Sequence, residues 1–134
     1  MKYLVNYVAT LILFVAIDFV WLKLSSDRLY RPIMGDMLAD KPVMSAAASF
    51  YLLYILGVVI FVGSFALRTG EWTNALFYGG LFGFFAYATY DLTNQATLRN
   101  WSLQLTIADM VWGTLLTGVT ATLAFFVTRA VVRD

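Results

Sequence analysis

Four long apolar stretches determine what this chain can fold into. Each is close to the roughly 20 residues that an α-helix needs to cross the hydrocarbon core of a bilayer. They cover residues 4–24, 44–67, 74–94 and 103–128. A lone segment of this kind satisfies its backbone hydrogen bonds in lipid only as a helix. The sequence therefore predicts an all-α integral membrane protein, with residues 1–134 forming one membrane domain.

Composition agrees with this fold and excludes several classes of function. Hydrophobic residues make up 61% of the chain and charged residues 13%, against about 45–50% and about 25% in soluble domains. The net charge of +1 gives no electrostatic basis for nucleic-acid binding. The chain has no cysteine and no histidine, which removes disulfides, the commonest zinc and haem ligands and the usual general base. We expect no metal and no cofactor.

The loops predict how the four helices are arranged. Two of the three connections are short, so consecutive helices run antiparallel in an up-down-up-down bundle with both termini on one side. In the long first loop, Pro32 precedes apolar residues at helical spacing, which predicts a short interfacial helix. Four Lys and Arg lie on the terminal side and five on the loop side, so the positive-inside rule does not decide the orientation. Lys2 and the two arginines after the last span favour cytoplasmic termini in an inner membrane.

Three aspartates interrupt the apolar stretches, and their depths agree. Asp18 lies towards the end of the first span, Asp91 near the end of the third, and Asp109 near the start of the fourth. With antiparallel helices, all three fall in the half of the membrane next to the long loop. An aspartate at the centre of a membrane helix costs about 2.5–3.5 kcal/mol on insertion scales. We therefore predict that the three face the bundle interior, as candidate catalytic residues of a polar site.

Other polar and aromatic residues on the same side are candidates for ligand binding. The full set is Trp21, Lys23, Arg28, Arg31, Tyr87, Tyr90, Asn94, Arg99 and Trp112. We expect at least one of the four basic residues to reach an acid of the cluster, because unpaired buried carboxylates are costly. Asn94 or Tyr90 should supply a further hydrogen bond. The alternative is structural, since polar stripes also hold membrane helices together and tryptophans anchor interfaces.

The pattern Asp-x-Val-Trp occurs twice, at residues 18–21 and 109–112. Because the first and fourth spans are antiparallel, Trp21 points towards the loop side of its aspartate and Trp112 points away from it. A simple duplication does not produce that arrangement. The repeat therefore suggests a relation between the two segments without assigning them a role.

Three segments carry a resemblance to a known family. Asp-Phe-Val-Trp at 18–21, Tyr-Asp-Leu-Thr-Asn at 90–94 and Asp-Met-Val-Trp at 109–112 together resemble the bacterial domain-of-unknown-function family 2177. The resemblance covers essentially the whole chain and implies a small inner-membrane protein with four spans. It brings no catalytic residues. Members are often encoded near proteins resembling cyclopropane-fatty-acid synthases and amine oxidases, which implies a link to lipid modification.

Three kinds of function remain open on these residues, and whether the protein is an enzyme is open with them. The first is binding or modification of membrane lipids, with basic residues holding a lipid phosphate. The second is a small proton-coupled transporter for an organic cation, although its acids lie away from the membrane midplane where such sites are expected. The third is an accessory subunit or assembly factor of a larger membrane complex. Membrane lipids, and a homo-oligomer or a larger complex, are the expected partners.

Overall fold

Four long helices make up the protein in a computed structural model that describes residues 1–39 and 41–133. Helix α1 runs through Lys2–Ser25 and continues as a π turn, an α-helical turn and a 3₁₀ turn to Met37. Helix α2 covers Met44–Val58, a π turn at Val59–Gly63 and a last segment, Ser64–Thr69. Helices α3 and α4 cover Trp72–Thr97 and Leu103–Val131. The described residues contain no β-strand, so the all-α prediction is confirmed.

Three of these helices are long and apolar enough to cross a membrane. They are the helical runs Lys2–Met37, Met44–Thr69 and Leu103–Val131. Helix α3 has 26 residues, about 39 Å at 1.5 Å per residue. It is long enough to cross, but it is less apolar than the other three. The predicted class, a helical membrane bundle, is therefore confirmed, with α3 as its most polar long helix.

Helices α1 and α4 are antiparallel neighbours, as contacts at two depths show. Near one end, the side-chain amide of Asn6 donates to Thr128 Oγ1 at 3.1 Å. Towards the other end, Trp112 Nε1 donates to Asp18 Oδ1 at 3.0 Å. Moving forward along α1 therefore means moving backward along α4. The start of the chain and the end of α4 lie at the same end of the bundle.

Helices α3 and α4 approach so closely that their contact requires glycine. A Cβ atom added to Gly83 would collide with the carbonyl oxygen of Gly113 and would lie 2.7 Å from Thr117 Oγ1. One turn earlier, a Cβ on Gly79 would lie 3.0–3.1 Å from atoms of α4. Small residues permit this kind of close helix contact in membranes. The tight packing fixes the relative position of the two helices that carry Asp91 and Asp109.

Helix α1 does not end where the sequence predicted. The interfacial helix expected at Pro32 is a continuation of α1, reached through a π turn at Ser26–Tyr30 in which the Arg31 amide donates to the Ser26 carbonyl. Proline normally breaks a helix because it lacks an N–H and its ring clashes with a preceding carbonyl. Here it is the second residue of Arg31–Met34, directly after the π turn that shifts the hydrogen-bond register of the helix. The π turn carries Tyr30, which contacts α4 as described below.

Candidate functional site

A cavity of about 720 Å³ opens at the loop end of the bundle. Its walls come from α1, α3, α4 and the first loop, and all three predicted aspartates line it. The lining residues are Asp18, Trp21, Leu22, Ser26, Tyr30, Arg31, Met34, Gly35, Leu38, Ala39, Pro42, Tyr87, Tyr90, Asp91, Trp101, Leu105, Asp109 and Trp112. The structure thus brings together carboxyl groups that are 18 to 91 residues apart in the chain.

Asp18 has one hydrogen-bond donor for each of its carboxyl oxygens. The Tyr51 hydroxyl donates to Oδ2 at 2.6 Å, and Trp112 Nε1 donates to Oδ1 at 3.0 Å. The residue is 8% exposed. Donors from α2 and α4 therefore converge on an acid of α1 and tie three helices together.

Two consecutive hydrogen bonds connect Trp21 of α1 to Asp109. The Tyr30 hydroxyl donates to Asp109 Oδ1 at 2.9 Å, and the same hydroxyl accepts a hydrogen bond from Trp21 Nε1 at 3.1 Å. A π turn often marks a functional part of a helix because it re-aims the side chains around it. In this protein the π turn carries the hydroxyl that connects α1 to Asp109.

The tryptophan of each Asp-x-Val-Trp copy is hydrogen-bonded, directly or through Tyr30, to the aspartate of the other copy. Trp112 of the second copy binds Asp18 of the first directly, while Trp21 of the first reaches Asp109 of the second through Tyr30. The indole rings of Trp21 and Trp112 stack with centroids 4.6 Å apart and an interplanar angle of 13°. The antiparallel direction, which seemed to separate the roles of the tryptophans in the sequence, is what brings them together.

Asp91 differs from the other two acids because it has no donor. It is 0% exposed, and among the described residues neither of its oxygens has a hydrogen-bond partner. Its carboxyl group and that of Asp109 line the same cavity and are close enough to interact electrostatically. Two carboxyl groups can bond to each other only when one carries a proton, since ionised oxygens are acceptors only. The Asp91–Asp109 pair is therefore the part of the cavity with unused capacity to accept hydrogen bonds.

Aromatic side chains form much of the remaining wall. Tyr90 packs edge-on against Trp101 with ring centroids 5.8 Å apart. Trp101 is held by its Nε1, which donates to Thr106 Oγ1 at 2.9 Å. Tyr87 lies against Gly113 so closely that a Cβ there would collide with its ring. Together with the stacked indoles, these rings surround the acids with aromatic surface.

The predicted pairing of acids with basic residues is wrong for the described residues. Arg31 lines the cavity, but its ion pair at 3.3 Å is with Asp27, and both side chains are largely exposed. The other predicted contacts, Lys23, Arg28, Asn94 and Arg99, do not line the cavity. Hydroxyl and indole donors replace the expected cations, because aromatic rings pack inside the bundle while long basic side chains extend towards water.

Two residues that contact the acids were missed in the sequence. Tyr51 lies in an apolar span with no charge, where an aromatic residue is ordinarily packing material. Tyr30 lies in a segment that was expected to be a loop, whereas in the structure it continues α1. The pattern Phe50, Tyr51, Tyr54 near the loop end of the second span was the available signal, since buried tyrosines need partners for their hydroxyl groups.

Among the described residues, no three acidic side chains are grouped so that they could hold a metal ion. The cavity is better suited to a ligand that brings its own positive charge or N–H groups.

The fold and the site define an integral membrane protein, a helical bundle with an acid- and aromatic-lined cavity at one end. The chain belongs to the family described as "Predicted membrane protein (DUF2177)", whose model matches residues 3–126. This agrees with the resemblance seen in the sequence. No curated protein and no solved structure is similar enough to this chain to count as a match.

Proposed function

We propose that the protein binds a membrane lipid through an amine-bearing head group. The observation that carries the proposal is Asp91, a fully buried carboxyl group without a donor among the described residues, which lies in the cavity wall together with Asp109. An ammonium group has three N–H donors and no acceptor. It would satisfy the free acceptors of the pair and compensate their charge.

The rest of the cavity supports a cationic head group. Aromatic faces attract cations, most strongly where water is excluded, and Trp21, Trp112, Tyr87 and Tyr90 all line the walls. Among the described residues, no basic side chain forms an ion pair with Asp18, Asp91 or Asp109. A ligand amine would therefore not compete with a protein cation for the acids.

Arg31 supports a phosphate next to the amine. It lines the cavity from the first loop, and its exposed pair with Asp27 is of a kind that contributes roughly 0–1 kcal/mol. Such a pair is easily exchanged for a lipid phosphate, which a guanidinium can bind through two parallel hydrogen bonds. Phosphatidylethanolamine combines both groups and is the lipid that we propose.

The test compares two lipids on the purified protein. Native mass spectrometry should show dioleoyl phosphatidylethanolamine binding about tenfold more tightly to the unchanged protein than to Asp91→Asn, since a hydrogen bond to a charged group contributes about 1.5–3 kcal/mol. Dioleoyl phosphatidylglycerol, which has no amine, should bind the two proteins equally. The control is Asp36→Asn, an exposed acid of the same loop side that does not line the cavity. Its melting temperature and lipid preference should match those of the unchanged protein.

Two results would contradict the proposal. One is phosphatidylethanolamine binding that is equally tight in the unchanged protein and in Asp91→Asn. The other is Asp91-dependent binding of tetraethylammonium without binding of either lipid, which would favour the organic-cation transporter. Loss of folded Asp91→Asn would be resolved with Asp109→Asn, which leaves Asp91 in place and removes the opposite side of the pair.

We also propose that the protein lies in the inner membrane with its termini in the cytoplasm. Lys2 at the start of α1, Arg129 in the last turn of α4 and Arg133 just beyond it support this orientation. The chain has no cysteine, so single cysteines can be introduced without background. In intact cells, a membrane-impermeant maleimide should label Lys41→Cys and spare Glu71→Cys until the cells are lysed. The reverse labelling pattern would overturn the orientation.

A further inference from the structure

The end of the bundle opposite the aspartates carries a second cavity, of about 430 Å³. It lies where the start of α1, the α2–α3 turn and the end of α4 meet. Its lining residues are Lys2, Leu67, Gly70, Thr128, Arg129, Val132 and Arg133. Three of these seven residues are basic and none is acidic. The cavity differs in sign from the aspartate-lined one.

The central cation of this cavity is held in place by the protein. Arg129 Nη1 donates to the carbonyl oxygen of Gly70 at 2.9 Å, and the guanidinium lies 5.4 Å from the centre of the Phe125 ring. A guanidinium has five N–H donors in a fixed plane. The contact with Gly70 uses one of them, so the oriented side chain retains donors for a ligand.

The turn geometry makes this contact possible. Gly70 has φ +75°, a left-handed backbone conformation that ends α2. Residues other than glycine rarely adopt this conformation. The Gly70 carbonyl is thereby available to α4. The charge of the surrounding segments also favours an anion. The sequence segments that meet at this end of the bundle contain four basic residues, Lys2, Arg68, Arg129 and Arg133, and two acidic ones, Glu71 and Asp134. Glu71 does not line the cavity.

From this arrangement we propose that the basic cavity binds a phosphate group, supplied by the head group of an anionic membrane lipid. Basic cavities between transmembrane helices at the membrane surface are suited to anionic head groups. A fixed guanidinium, together with one cation at the start of α1 and another just beyond the end of α4, matches the charge and the acceptor oxygens of a phosphate. The site is independent of the amine-binding cavity, which lies at the other end of the bundle.

The experiment measures binding of dioleoyl phosphatidylglycerol in the Lys2→Gln/Arg133→Gln double variant. Both side chains line the cavity, and their charge-assisted hydrogen bonds to the phosphate would be lost, so affinity should fall on the order of tenfold or more. Arg129 is kept because its contact with Gly70 also holds the turn. The matched control is Arg68→Gln, a cation at the same end of the bundle that does not line the cavity. It should bind the lipid within about twofold of the unchanged protein.

Further arms identify the source of the phosphate and exclude a general effect. Sodium phosphate at millimolar concentration should displace little of the lipid if the site takes a head group held at the interface. Complete displacement would assign the site to free phosphate and overturn the lipid source. An equal loss in Arg68→Gln would mean that overall surface charge attracts the lipid, and the cavity would not be a site. Melting temperatures of all variants should agree, and phosphatidylcholine should bind each of them equally weakly.

Discussion

In the double variant Tyr51→Phe/Trp112→Phe, the free energy of unfolding is expected to fall by about 3–4 kcal/mol. The two substitutions remove both hydrogen-bond donors of Asp18 and leave its carboxyl group within the membrane bundle. Interhelical hydrogen bonds in a membrane protein contribute about 0.6 kcal/mol on average. An acid without these donors costs more than two such bonds, because only 8% of the residue is exposed and few other partners can reach it.

The measurement is an SDS titration in mixed micelles, with helix content followed by circular dichroism. A third substitution separates electrostatics from packing. Leucine has the branched shape of aspartate without its charge, so adding Asp18→Leu to the double variant should recover more than half of the loss. A loss below about 1.2 kcal/mol, twice the average for interhelical bonds, would show that the two donors do not hold Asp18. Failure of the leucine to recover stability would assign the effect to the missing ring atoms.

Gly83→Ala is expected to destabilise the protein by about 3 kcal/mol, at the upper end of the range for overpacked sites. The added methyl group would collide with the backbone of α4 at Gly113 and with Thr117. Backbone cannot rotate away as a side chain can. The helices must therefore separate, and the facing positions of Asp91 and Asp109 would be lost with the packing.

A neighbouring glycine provides the matched control. A Cβ atom on Gly80 would lie 3.7 Å from Thr114 Cγ2, an ordinary van der Waals distance. Gly80→Ala should therefore leave stability unchanged or raise it by up to about 1 kcal/mol, because alanine favours the helix. The same SDS titration compares the two variants. Equal stabilities would show that the α3–α4 contact tolerates a methyl group at its closest point.

Much of this architecture could be predicted from the sequence because membrane helices are specified by length and hydropathy. The four apolar stretches lie within the observed helical runs. Because consecutive helices run in opposite directions, the sequence also placed three distant aspartates in the same half of the membrane. That inference needs no side-chain detail. It works because a bilayer allows few ways to arrange consecutive hydrophobic helices.

The partners of the aspartates could not be predicted in the same way. Tyr51 reaches Asp18 because of the rotation of α2 about its axis, and Tyr30 reaches Asp109 because of the π turn. Neither the rotation of a helix nor a π turn has a sequence signature. The pairing with basic residues was expected from charge alone. In the structure, Arg31 has a closer and more accessible partner in Asp27. Local geometry, rather than charge balance, therefore decided which donors the acids obtained.

The crossed contacts between the first and last helices have a consequence for biosynthesis. Asp18 and Trp112 are separated by 94 positions in the chain, and Asn6 and Thr128 by 122. During translation, α1 enters the membrane carrying an acid whose indole donor has not yet been made. Of the two donors to Asp18, Tyr51 and Trp112, only Tyr51 is available until α4 inserts. The aspartate-lined cavity is thus completed only when α4 inserts, because α4 supplies Trp112 to Asp18 and Asp109 to the cavity wall.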